Sequence, residues 1–210
     1  MERTTSIEEA KLILGKNFIG PDELSIIADQ MRIALPGNYP EIPFSKKELI
    51  EKHEYYILIL GTSQMKDGTP LTLKSLIDQF GKNPDISEPC FYNQDWYVKE
   101  DFIVRPCEKK WFLIRKNVLN ETRGVDPQLI VAKIKLPAAV LCAYVFFCNF
   151  LLNQGDLLWK HDFVWCSDVD VNNDMIYVGR YIDATGFCKN GFSIHRHLKL
   201  RNNYSCIKFY

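Results

Sequence analysis

The stretch Leu136–Leu152, LPAAVLCAYVFFCNFLL, decides the fold because Asn149 is its only clearly polar side chain. A helix that crosses a membrane needs roughly 20 apolar residues, and this run is shorter, with polar and charged residues on both sides. Pro137 suits the first turn of a helix, and Gly155 suits a stop shortly after the last apolar residue. The stretch therefore predicts a helix that is buried in protein rather than in lipid.

Strand-like segments follow this helix. The segments 162–171 and 175–181 flank residues 172–174, an Asn-Asn-Asp sequence that is typical of a hairpin turn because Asn and Asp tolerate positive φ. The segments 192–198 and 205–209 predict two further strands. We therefore expect an α+β fold, in which the buried apolar helix packs on a mainly antiparallel sheet.

The amino-terminal part predicts a small helical cap. Ser6 and Glu9 have the spacing of a capping box, and Pro21 suits the first position of a second helix. Residues 32–43 contain three prolines and one glycine, which indicates an irregular connector. The expected organisation is a single domain over residues 1–210, with the cap and connector in 1–43 and the α+β body in 44–210.

Composition favours a globular protein with no strong attraction to polyanions. The chain has 26 Lys+Arg and 26 Asp+Glu, so no net field directs it to nucleic acid or to an anionic membrane. The seven cysteines form no C-x-x-C pair, and the amino terminus lacks the apolar stretch of a secretory signal. We expect a soluble cytoplasmic protein that binds a protein partner, with no membrane partner and with nucleic acid disfavoured.

Four segments carry a resemblance to other sequences: residues 17–24, 70–73, 111–116 and 167–170. They are similar to segments of hypothetical proteins from bacterial genomes, an uncharacterised set, and the similarity covers most of the chain. None of these segments is specific to a known chemistry. The resemblance implies a bacterial origin and no particular activity.

A pair of histidines is the main candidate for metal chemistry. His195 and His197 alternate along a predicted strand, so both imidazoles project to one face and can share a divalent metal. Asp168, Asp170 or Asp183 would complete the ligand set. This pattern predicts a metal-dependent hydrolase, of a phosphodiesterase or nuclease type, as the alternative function. The competing interpretation is a wet, basic strand with surface histidines and no cofactor, which we favour.

The segment 168–174 also has the oxygen spacing of the start of a calcium loop. It departs from that pattern twice, because Asn173 stands where glycine is needed and Gly179 stands where a bidentate glutamate is needed. The sequence therefore predicts a hairpin here and no calcium site.

Basic and aromatic residues alternate near the carboxy terminus. Arg196, Lys199 and Arg201 are candidates for contact with single-stranded nucleic acid, since neighbouring aromatic rings could stack on bases. The same pattern arises in a sheet whose rings face the core and whose cations face water. We favour that second interpretation, so the expected function is binding of a partner without catalysis.

Overall fold

The computed structural model describes residues 4–183, 185–186, 189–196 and 199–210. About 31% of the chain is helix and 22% is strand, with helices packed on antiparallel-rich sheets, so the predicted α+β class is confirmed. The helices are α1 (Ile7–Leu14), α2 (Pro21–Met31), α3 (Lys46–Lys52), α4 (Leu73–Phe80), α5 (Pro127–Val131) and α6 (Ala139–Leu152). The strands are β1 (Thr4–Thr5), β2 (Phe18–Ile19), β3 (Ile42–Ser45), β4 (Tyr56–Leu60), β5 (Trp111–Arg115), β6 (Phe163–Val169), β7 (Met175–Gly179), β8 (Ser193–His195) and β9 (Tyr204–Ser205).

The amino-terminal helices begin where their capping residues predict. The Ser6 hydroxyl accepts the N–H of Glu9, and the Glu9 carboxylate accepts the N–H of Ser6 in return. Pro21 is the first residue of α2. The segment before α2 also contributes β2, which pairs in parallel with β4, so the cap supplies a strand as well as helices.

The first main sheet has the order β2-β4-β5. All five residues of β4 are buried, as the unbroken apolar sequence predicts, and β4 is antiparallel to β5. The chain end extends this sheet, because Leu113 and Tyr210 exchange backbone hydrogen bonds. The predicted strand over 205–209 is thus divided between two sheets.

The second main sheet has the order β8-β7-β6-β9. The hairpin of β6 and β7 is antiparallel, as predicted, and β8 adds antiparallel to β7. The short strand β9 lies parallel to β6 on the other side. Successive side chains of a strand point to opposite faces of the sheet. In β6, Val164 and Cys166 lie in the core around α6, and Phe163 and Trp165 lie in a second apolar cluster.

The apolar sequence forms the central helix of the core. Every residue from Ala139 to Asn149 is buried, and α6 contacts α2, α4 and the second sheet. The Phe146 ring stacks on Tyr181 with centroids 5.5 Å apart, and the Phe147 ring stacks on Phe80 at 4.3 Å. Every helix in the described part of the chain falls short of the length and apolarity needed to span a bilayer.

Candidate functional site

Asp168, a predicted metal ligand, joins the end of β6 to the start of α6. Its buried carboxylate accepts the backbone N–H of Ala139 at 2.6 Å and pairs with Arg105 at 2.7 Å. The N-cap residue of α6 is Ala138, whose side chain cannot accept a hydrogen bond. Asp168 therefore supplies from a distant strand the acceptor that α6 lacks locally.

Asp170 organises the turn between β6 and β7. Its carboxylate accepts the backbone N–H groups of Asn172 and Asp174 and pairs with Arg196. Burial raises the pKa of this carboxyl, but the hydrogen bonds from Asp174 and Arg196 outweigh burial and hold the pKa below its usual value. Arg196 also pairs with Glu100. Asp170 and Arg196, which the sequence assigned to different candidate sites, are thus partners of each other.

His195 lies on the opposite face of the sheet from Asp168. Its Nδ1 atom is 3.2 Å from the amide nitrogen of Gln94, and its ring packs edge-on against Phe163 at 5.3 Å. Burial, with the nearby charge of Arg180, lowers the pKa of His195 to about 4, so the imidazole is neutral near pH 7.

The other predicted metal ligands do not complete a described site. The Asp183 carboxylate accepts the hydroxyl of Thr185, and His197 lies outside the described residues. Within the ranges that the structure covers, no three His, Cys, Asp or Glu groups come together to hold a metal ion. The pairing of His195 with His197 stays a prediction.

The three predicted nucleic-acid residues differ in their surroundings. The Arg196 guanidinium lies 4.4 Å from the Trp96 ring centroid and is tied to two carboxylates. Lys199 and Arg201 are exposed, and Arg201 lines a small cavity with His161 and Arg180. Arg196 therefore has a structural role, whereas Lys199 and Arg201 are exposed cations.

A different region holds two of the buried groups with unmet hydrogen bonds, Arg115 and Trp159. A groove of about 650 Å³ lies between the segment 115–123, which begins at the end of β5, and the segment 156–162, which precedes β6. We call it the basic groove. Its cationic or titratable basic residues are Arg115, Lys116, Arg123, Lys160 and His161.

Arg115 is a partly buried cation of this groove that forms no ion pair with any described residue. Its Nε atom is buried without a hydrogen-bond partner, and its side chain forms no ion pair or hydrogen bond with any described residue. The guanidinium lies 5.9 Å from the Tyr55 ring centroid and 6.0 Å from that of Tyr56. The two rings hold the guanidinium in place, and its donors have no partner among the described residues.

Trp159 places a second unpaired donor at the same groove. The residue is 4% exposed, and its indole Nε1 has no partner. Its φ is +48°, a left-handed conformation that is strained for a bulky residue. The Trp159 carbonyl accepts the N–H groups of Asp162 and Arg180, which fixes this turn.

Two of the other cations are held by neighbours, whereas Lys160 is exposed and forms no ion pair with any described residue. Burial, and then the charge of Lys16, lowers the pKa of Lys116, whose ammonium donates to Asn17. Arg123 pairs with Asp162 through two hydrogen bonds of 2.6 and 3.0 Å. Arginine, lysine and tryptophan side chains donate and do not accept. Two carboxylates, Asp156 and Asp162, also line the groove, and Asp162 is paired with Arg123. The cations still outnumber the carboxylates, which favours a ligand rich in acceptor oxygens.

Sequence reasoning missed this groove. The pair Arg115-Lys116 follows the apolar residues 111–114 and is typical of the solvated end of a strand, and a lone tryptophan such as Trp159 indicates no site. The one available signal is two adjacent cations directly after an apolar strand. Nothing in the sequence indicates that the segment 156–162 folds against that position.

The chain matches no protein-family model, no curated protein and no solved structure. Fold and site geometry together define an α+β protein with a cationic groove that contains unpaired buried donors. The proposal for its function rests on that geometry.

Proposed function

We propose that the protein acts by binding, and that its ligand is a small anion whose carboxylate or phosphate oxygens occupy the basic groove. The observation that carries this proposal is the pair of unpaired buried donors, Arg115 Nε and Trp159 Nε1. A buried donor without a partner costs about 1–3 kcal/mol, and folded proteins rarely leave one in that state. Because both atoms are closed to solvent, an oxygen ligand would accept first from the outer guanidinium nitrogens of Arg115 and would reach Arg115 Nε and Trp159 Nε1 only after the wall of the groove shifts.

The charge of the groove supports an anion over a neutral ligand. Arg115 presents a planar fork that matches carboxylate and phosphate oxygens, and Lys116 adds a partly desolvated ammonium beside it. Arg123 is already neutralised by Asp162, so it orients the wall of the groove more than it attracts a ligand. The volume lies within the range of small-molecule sites.

The sequence-based alternative, a metal-dependent hydrolase, depends on His197 reaching a metal beside His195. No contact among the described residues favours it, since Asp168 and Asp170 are each engaged by an arginine. We therefore retain binding as the function. A protein partner, as expected from composition, remains compatible with a small anion as the ligand.

We also propose a bacterial, cytoplasmic protein that folds as one domain. The six cysteines in the described ranges are free and buried, which suits a reducing compartment. The bacterial origin rests on the resemblance of four sequence segments. A single domain is supported by one apolar cluster that contains residues of α2 from the cap and of α6 from the body.

Isothermal titration calorimetry with inorganic phosphate and with citrate tests the proposed ligand class. We expect saturable binding of at least one probe. Trp159→Phe keeps the ring but removes the indole N–H, and it should weaken binding by about fivefold or more. Trp165→Phe is a matched control, because Trp165 also has an unpaired Nε1 but lies outside the groove. It should leave affinity unchanged.

A charge variant tests the same groove separately. Arg115→Gln should abolish measurable binding, whereas Lys99→Gln, at an exposed lysine outside the groove, should not. The proposal fails if neither probe saturates at millimolar concentrations. It also fails if Trp165→Phe weakens binding as much as Trp159→Phe does.

A further inference from the structure

A second cavity, of about 520 Å³, opens between the two main sheets at the start of α6. We call it the α6 groove. Val140 and Leu141 of α6, with Phe112 of β5, provide apolar walls. Two apolar side chains at the same cavity remain open to solvent, Val131 at 44% and Val169 at 41% exposure. Exposed apolar surface around a concave site is typical of a binding cavity.

The charged groups of the α6 groove are mainly cationic. Arg105 is neutralised by Asp168, and Lys110 is neutralised by Glu108 at 2.7 Å. Lys135 forms no ion pair with any described residue, and its Nζ lies 5.4 Å from the ring centroid of Phe209. The cavity therefore combines apolar walls with one available cation.

We infer that the α6 groove binds an amphipathic carboxylate, such as a free linear fatty acid. Its apolar chain would cover the exposed side chains of Val131 and Val169, and its carboxylate would pair with Lys135. A neutral chain would leave Lys135 without a counter-charge, and an anion without a chain would leave Val131 and Val169 in water. The α6 groove shares no lining residue with the basic groove, so this inference is independent of the proposed function.

Calorimetric titration with dodecanoate, below the concentration at which it forms micelles, tests the ligand class. We expect one dodecanoate per protein chain. Dodecan-1-ol, which has the same chain without the charge, should bind with an affinity at least about fivefold lower than that of dodecanoate. Butanoate, which has the charge without the long chain, should not bind measurably. Equal affinity for dodecanoate and dodecan-1-ol would overturn the role of Lys135.

Two neighbouring lysines give a matched pair of variants. Lys135→Glu reverses the charge at the groove and should weaken dodecanoate binding by about fivefold to tenfold. Lys133→Glu makes the same change at an exposed lysine outside the groove and should have no effect. Both side chains are exposed, so neither variant is expected to unfold the protein. An equal loss in both variants would contradict the inference.

Two further measurements separate other outcomes. Ala138→Phe, at a residue that lines the groove, should block dodecanoate by filling the cavity, whereas Arg115→Gln in the basic groove should not affect it. Sedimentation with phosphatidylglycerol vesicles, together with no binding of free dodecanoate, would indicate a membrane lipid and would overturn the inference. The absence of saturable dodecanoate binding to the wild-type chain would overturn it as well.

Discussion

The Asp168 carboxylate accepts the backbone N–H of Ala139 at 2.6 Å, so a strand residue caps a helix that begins 29 positions earlier in the chain. Asp168 is also paired with Arg105, which is 46% exposed. One buried side chain therefore accepts the first backbone N–H of α6 and connects this helix to the second sheet.

Asp168→Ala should lower the free energy of unfolding by about 2–3 kcal/mol, because charge-assisted hydrogen bonds to Ala139 and Arg105 are both lost. In this variant water can hydrate the partly exposed guanidinium of Arg105, so the loss of stability stays below that for breaking a fully buried ion pair. Asp78→Ala, in the exposed pair with Lys74, should change stability by at most about 0.5 kcal/mol. Urea unfolding measures both values, and a loss at Asp168 no larger than at Asp78 would contradict the capping role.

Stability should fall with acid because of His195. The folded-state pKa is about 4, whereas a histidine in an unfolded chain titrates near 6.5. Between these values the unfolded state binds a proton that the folded state does not. The contribution of His195 is therefore fully present above about pH 6.5 and is lost as the pH falls toward 4, by at most about 1.4 kcal/mol per pH unit.

His195→Asn should flatten this part of the stability profile, measured by urea unfolding from pH 4 to pH 7. His161→Asn is the matched control, because the His161 side chain is exposed. A proton-NMR titration that places the His195 transition above pH 6 would show that the imidazole is not buried as described.

Arg196→Ala should destabilise the protein by about 2–3 kcal/mol, because it removes the ion pair between Arg196 and the buried carboxylate of Asp170. Lys199→Ala, three positions later at an exposed side chain, should change stability by at most about 0.5 kcal/mol.

Neither Arg196→Ala nor Lys199→Ala should alter nucleic-acid binding, which we expect to be weak near physiological salt. Fluorescence anisotropy with single-stranded DNA checks this, and a tight, salt-dependent complex lost on removing Arg196, Lys199 and Arg201 together would refute it.

The elements with strong local patterns could be predicted from sequence. The apolar run predicts α6, although the helix begins at Ala139 because Ala138 has an extended backbone and acts as the N-cap. The alternation around residues 172–174 predicts the hairpin of β6 and β7. In both cases a short segment contains its own signal, either a long apolar run or a turn between two strands.

The segment 83–105 carries no periodic sequence pattern, because the residues that it contacts are remote in sequence. The Trp96 indole donates to the carbonyl of Ile194 at 3.1 Å, and Phe91 forms a parallel bridge with Phe192. Such contacts leave no periodic pattern in the segment itself.

The candidate sites were hard to predict for the same reason. The position of Asp168 in sequence is compatible with a metal ligand, because sequence alone does not distinguish an aspartate that binds a metal from one that caps a helix. Arg115 and Trp159 meet at one groove only after two distant loops have folded together.

The pairing of Leu113 with Tyr210 bears on how fast the chain folds. A contact between positions so far apart in sequence closes a very long loop, whose entropy must be lost before the hydrogen bonds form. Until then the outer edge of β5 has no strand beside it, and an open edge can pair with another copy of the chain. Aggregation during refolding should therefore depend on how soon residues 208–210 reach that edge.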